Sequence, residues 1–291
     1  MRRITLISLL AIAIAIVASL SFARAQRLQS HSGTRHFELG EELHYEAEFS
    51  RSLLRRLDVA ELKFRATRTP LTETTSNSND SAEAKHYALT LSADVSSKGF
   101  FPRLFNLKFR ERVESTVEPV TFTVQRTTIL DEQGKRVRTT ESTFDRSKGK
   151  MTWTSRDPNN PSAEPRHAIT DFSGQLQDVL SAIYFIRTQP LAVGKTFDVF
   201  VGDGGKVYKI PVKVVERRRM KTILGRVDVF RVNPELFGPD RLIEDEKGEF
   251  TMWITDDAQH IPVGGRVKTD YGTFDIKLKN IVKPGAVAPG E

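Results

Sequence analysis

Apolar and polar residues alternate along most of this chain. In Glu42–Phe49 ("ELHYEAEF"), Leu43, Tyr45, Ala47 and Phe49 share one face, with His44, Glu46 and Glu48 on the other. "DVAELKFRATR" sets Ala60, Leu62, Phe64 and Ala66 against Glu61, Lys63 and Arg65, and "HYALTLSADVSS" repeats the pattern from Tyr87 to Val95. "LFNLKFRERVES" sets Phe105, Leu107 and Phe109 against Asn106, Lys108 and Arg110. A period of two with one wet face predicts antiparallel strands. Turn residues punctuate the remainder: Asp131 to Gly134, Ser147 to Gly149, and Gly202-Asp203-Gly204-Gly205, where glycine admits the positive φ of tight hairpins. Strands are also expected in "GRVDVFRV", "GEFTMWIT", "IPVGGRVKT" and "GTFDIKLKN".

One stretch breaks this rhythm. In Asp171–Pro190 ("DFSGQLQDVLSAIYFIRTQP"), Leu176, Val179, Leu180, Ile183 and Tyr184 fall at helical spacing, and Ala182, Phe185 and Ile186 make the opposite side apolar too. Asp171 or Ser173 is expected to cap the helix start. Burying about six large apolar side chains contributes on the order of 10 kcal/mol gross, before the entropy of ordering them. A helix apolar nearly all round must be covered on more than one side. About ten or more strands exceed what a flat sheet carries. The expected fold is therefore mainly β: a large curved antiparallel sheet, as an open barrel or half-barrel, with one principal buried or lid helix.

The start of the chain stands apart. Arg2 and Arg3 precede an uncharged apolar run from Ile4 to Phe22, followed by Ala23-Arg24-Ala25, the layout of a secretory signal peptide. Cleavage is expected after Ala25, which makes the protein periplasmic or secreted; a retained N-terminal membrane anchor is the alternative. Residues 26–35 read as a flexible lead-in, 36–283 as a single β-rich domain with loops at 72–84 and 155–170, and 284–291 as a tail. Cleavage would leave 41 basic against 37 acidic residues out of the chain's 44 and 37, a mild and dispersed bias that argues against nucleic acid. No further membrane span is expected after cleavage. With no cysteine in the chain, disulfides, thiolate metal sites, cysteine nucleophiles and lipoprotein anchoring are excluded.

Candidate chemistry is sparse. His31, His36, His44, His86, His167 and His260 lie at no metal-ligand spacing, so neither a metal nor another cofactor is expected. No Gly-x-Ser-x-Gly elbow is present, and "VGDGGK" lacks phosphate-loop spacing. Asp256, Asp257 and His260 form the most suggestive polar cluster, readable as a cation or acid–base site or as turn formers between two strands. The basic run Arg217-Arg218-Arg219 reads either as a contact for lipid phosphates or an acidic partner, or as a solvated strand end. Eighteen phenylalanines fit either an ordinary core or the lining of an apolar cavity.

Several residues together resemble a bacterial exported family, domain-of-unknown-function family 3108. They are Asp178, Leu180, Ser181 and Arg187 of the helix, then Gly194, Thr222 and Gly225, then Trp253, Asp257 and Pro262. The resemblance runs from about Phe37 to Ile281 and implies a periplasmic protein without an established reaction. The strand order with one apolar helix is also loosely similar to the open-barrel lipoprotein carriers, which implies an acyl-binding cavity. The resulting expectation is a non-enzymatic envelope protein that binds a lipid, acyl chain or other apolar ligand at Leu176, Leu180, Ile183, Tyr184, Arg187 and Trp253. An envelope structural or assembly factor working on a protein partner through its surface is the alternative, and an envelope-polymer hydrolase a third.

Overall fold

The computed structural model describes residues 37–70, 87–99, 108–245 and 247–283. The leader, the lead-in, the 72–84 loop, Phe105, Leu107 and the 284–291 tail lie outside them. The described chain forms fourteen strands in chain order: β1 (Glu42–Arg51), β2 (Leu54–Pro70), β3 (Tyr87–Ser97), β4 (Phe109–Glu118), β5 (Thr123–Gln133), β6 (Arg136–Asp145) and β7 (Lys150–Arg156). After β8 (Arg166–Asp171) comes the helix α1 (Val179–Arg187). Then follow β9 (Thr196–Asp203), β10 (Lys206–Thr222), β11 (Gly225–Pro234), β12 (Glu249–Thr255), β13 (Pro262–Thr269) and β14 (Gly272–Val282). They make one antiparallel sheet in the order β8-β7-β6-β5-β4-β3-β2-β1-β14-β13-β12-β11-β10-β9. Nearly every step is a hairpin between sequence neighbours. The exception is β1 against β14, where Leu43 faces Ile281 and Phe49 faces Phe274.

The alternation read from the sequence becomes a burial pattern. In β1 every second residue is buried, and in β4 Phe109, Glu111, Val113, Ser115 and Val117 turn inward while Arg110, Arg112 and Glu114 turn out. Gly204 and Gly205 sit at φ +56° and +82°, the pair of positive values that a two-residue hairpin of the strands' own twist requires. The sheet is curled but not closed into a barrel by backbone pairing. Helix α1 packs inside the curl, touching β3 and β4 near the middle of the strand order and β9 at one edge.

Two expectations need correction. The segment 155–170 is not a continuous loop: β7 runs through Arg156, and β8 occupies Arg166–Asp171 as an edge strand. Its three-proline approach ends at Pro165, which leaves the next six residues free to pair with β7. The helix is also shorter than its apolar spacing suggests, and neither Asp171 nor Ser173 caps it. Asp171 ends β8, and Gly174 at φ +78° turns the chain away from helical geometry. The start is set by a capping box: the Asp178 side chain accepts from the Ser181 amide at 2.7 Å, and the Ser181 hydroxyl accepts from the Asp178 amide at 3.0 Å.

Candidate functional site

The helix is packed into the main hydrophobic core. Leu180, Tyr184 and Ile186 are buried in one continuous core, and Val179, Ile183 and Phe185 pack against it. Phe37 stacks edge-on against Tyr184 at 5.1 Å between ring centroids, and Phe122 sits 6.1 Å from Phe37. Leu176 belongs to a separate small cluster with Val124, Phe144 and Met151.

Arg187 is fully buried, and it pins the helix end. Its guanidinium pairs with both carboxylate oxygens of Glu41, donates to the Gln259 carbonyl at 3.2 Å, and lies 5.3 Å from both the Phe37 and Tyr184 rings. Its own carbonyl meets His260 Nδ1 at 2.7 Å. Such a pair is expensive to desolvate, yet removing one partner leaves an uncompensated buried charge and costs about 3–5 kcal/mol. Glu41 was not a candidate in the sequence: nothing in its neighbourhood marks it as buried, and its partner lies 146 residues away.

The remaining candidates divide between structural work and a small pocket. Asp257 organises the β12–β13 turn, accepting from the Thr255 hydroxyl at 2.8 Å and the Gln259 and His260 amides at 2.9 and 3.1 Å. Asp256 pairs with Arg217, which also reaches Asp228. The Asp256 carboxylate and the His260 ring thus have separate partners, and Asp257 meets His260 only through its backbone amide. Among the described residues, no group of three or more His, Asp or Glu side chains is placed to hold a metal ion. Trp253 is largely buried, with the guanidinium groups of Arg218 and Arg266 at 5.3 and 5.8 Å from its ring. It lines a pocket of about 150 Å³ with Glu216, Arg231, Glu249 and Lys268.

A far larger cavity, of about 1110 Å³, is a groove on the outer face of β2 to β7. The curl that encloses α1 is accompanied on this side by a concavity lined by outward-facing side chains. Five cations line it, Lys63, Arg65, Arg110, Arg112 and Arg156, together with three carboxylates, Asp94, Glu114 and Glu141. Between them runs a field of hydroxyls from Thr128, Thr139, Thr143, Thr152 and Thr154, and no aromatic residue. Arg110 holds Asp94 through both carboxylate oxygens, and Arg65 holds Glu42. Among the described residues, Lys63 and Arg156 have no carboxylate within ion-pair distance. These residues were not singled out from sequence. Their alternation was visible, but a solvated strand face and a groove share one pattern, and curvature separates them.

The inner wall of the same arm is also polar. Glu111 on β4 faces Asp131 on β5 directly across the ladder, with Ser115 opposite Thr127 two repeats of the pleat further on. Burial, reinforced by Asp131 and Asp203, pushes the Glu111 carboxyl up to about 8. Burial likewise raises Asp131, and lifts Asp203 to about 6 against the hydrogen bond from the Gly204 amide.

The profile of the DUF3108 family, described as a protein of unknown function, matches residues 63–279. The chain belongs to that family. Among solved structures, a beta-barrel-like protein of the domain of unknown function DUF1849 from Brucella abortus is similar at a TM-score of 0.49 and 8% identity. The match covers 84% of this chain and 98% of that one. A candidate exported protein with a YmcC-like fold from Bacteroides fragilis NCTC 9343 gives a TM-score of 0.31 at 8% identity, over 87% of this chain and 100% of that one. No curated protein matches the chain. Among the described residues no helix is long and apolar enough to cross a membrane.

Proposed function

We propose that this protein is a non-enzymatic binding protein of the cell envelope that takes an acidic polysaccharide chain in the outer groove of β2 to β7. The envelope location rests on the leader at residues 1–25. The observation that carries the reading is the groove itself: about 1110 Å³, framed by five cations against three carboxylates, two of which arginines already hold, and floored by threonine hydroxyls. Hydroxyls that both donate and accept suit a hydroxyl-rich ligand, and the cations without carboxylate partners suit carboxylate or sulfate groups on it. A neutral sugar would need aromatic faces to stack on, and none lines the groove. A peptide would seek an unpaired strand edge or pockets for alternate side chains, but β2 to β7 are paired on both sides.

Lipid or acyl carriage fits less well. The space beside α1 is taken by Phe37, Tyr184 and their neighbours, which would have to move to admit a chain. Binding through the outer surface needs no such movement.

Calorimetric titration with oligogalacturonate and with a neutral glucose oligomer of equal length tests the reading. The acidic oligomer is expected to bind and to weaken with added salt. Lys63→Ala and Arg156→Ala are each expected to lower affinity roughly fivefold to tenfold. Equal binding of the two oligomers, or binding indifferent to both substitutions, would sink the proposal.

A further inference from the structure

The β1–β2 hairpin tip is built against the ordinary grammar of turns. Arg51 pairs with Leu54, so Ser52 and Leu53 form the two-residue apex, where asparagine, aspartate or glycine is the usual choice. Ser52 adopts φ +47° and Arg56 φ +53°, both in the left-handed region that non-glycine residues enter at a cost. Leu53 is 96% exposed and Leu54 43%. Three arginines, Arg51, Arg55 and Arg56, surround the two leucines, all exposed and none with a carboxylate within ion-pair distance among the described residues. The nearby acids do not answer them: Glu48 on β1 is paired with Lys277, Asp270 on the β13–β14 turn with Lys247, and Asp58 lies further along β2.

We infer that this tip docks the protein on an anionic lipid bilayer. Two leucines at an apex reach past the headgroups, while arginines a residue or two behind sit at phosphate level. That arrangement combines apolar insertion with electrostatic attraction. Charge complementarity selects the partner, because a neutral apolar surface would leave the three guanidinium groups without counter-charge. The opposite end of the strands carries a weaker counterpart at the β10–β11 turn. Ile223 and Leu224 there are 47% and 40% exposed, between the exposed Lys221 and Arg226, so neither apolar side chain stands clear of the fold as Leu53 does.

The test is vesicle co-sedimentation of the full chain on phosphatidylcholine with and without phosphatidylglycerol. Every variant carries the same N-terminus, so any contribution from the leader is common to all. Leu53→Ser with Leu54→Ser is expected to lower partitioning roughly tenfold, and Arg51→Gln with Arg55→Gln and Arg56→Gln to abolish the preference for anionic vesicles. Ile223→Ser with Leu224→Ser should change neither. In a Leu53→Trp variant the indole emission should shift to the blue on anionic vesicles only. Partitioning unchanged by the leucine pair, loss caused instead by the Ile223 and Leu224 substitutions, or an unshifted tryptophan would each overturn the inference. Circular dichroism of every variant separates lost binding from lost fold, since these exposed side chains support no core.

Discussion

Glu111 shows how much one inward position can govern. It sits on β4 with its carboxyl buried, Asp131 across the ladder, and one carboxylate oxygen without a hydrogen-bond partner. The folded chain holds its proton up to about pH 8, whereas the unfolded chain releases it near 4.5. Between those values the folded state binds more protons, so stability must fall as pH rises through that window and level off above it. Each pKa unit corresponds to about 1.4 kcal/mol, which makes the loss a few kcal/mol. Glu111→Gln keeps the shape of the protonated side chain and removes the ionisation. Urea unfolding should find it close to the wild type near pH 5 and more stable by that amount near pH 9. A wild type whose stability rises over this range, or a variant that tracks it at both ends, would refute the assignment. Asp131 and Asp203, raised in the same sense, should leave part of the slope in the variant.

At the level of elements, the sequence was most legible where a single physical rule acts alone. Strands β1, β2, β3 and β10 follow their period of two, and the Gly204-Gly205 hairpin follows from φ tolerance. The helix was visible from spacing, but its start was not. The apolar stripe extends back to Leu176, whereas the capping box that ends the extended segment lies two residues further on. Strand β8 was missed because its edge position gives it no buried stripe and prolines crowd its approach. Arg187 was seen as a charge near the helix end, but its burial depends on Glu41, and no local pattern encodes that pairing. The cap makes a direct prediction. Asp178 holds the Ser181 amide through one oxygen and the buried Thr127 hydroxyl through the other, and so joins α1 to β5. Asp178→Ala should cost about 2 kcal/mol, half from the lost cap and half from a hydroxyl left unpaired. Adding Thr127→Val should recover part of that loss in denaturant unfolding. A double variant destabilised by as much as the sum of the two single changes, or by more, would rule the linkage out.

For the whole molecule, the open question of architecture is how a sheet with two free edges stays curled. The strand order ends at β8 and β9, and no ladder joins them. The segment between β8 and α1 bridges the gap instead. The Phe172 amide donates to Gly149 at 2.8 Å. Gln177 then lies parallel to Val201, with its amide on the Phe200 carbonyl at 2.9 Å and its carbonyl taking the Gly202 amide at 2.7 Å. Side-chain amides of Gln175 and Gln177 reach the Thr121 and Phe122 carbonyls of the β4–β5 turn at 2.9 Å. Close approach at this seam depends on missing side chains: a Cβ on Gly202 would stand 2.5 Å from Met151 Sδ and 3.0 Å from the Phe144 ring. Gly202→Val should therefore force β9 away from the Val124–Phe144–Met151–Leu176 cluster and undo the two backbone bonds to Gln177. If the curl is held by this seam, hydrogen exchange should quicken at Gln177 and Gly202 and along β8, while the β1–β14 ladder keeps its protection. Protection lost equally in all strands would mean that the seam and the central sheet open together. Unchanged protection at Gln177 would mean that packing on α1 alone keeps the two arms of the sheet facing each other.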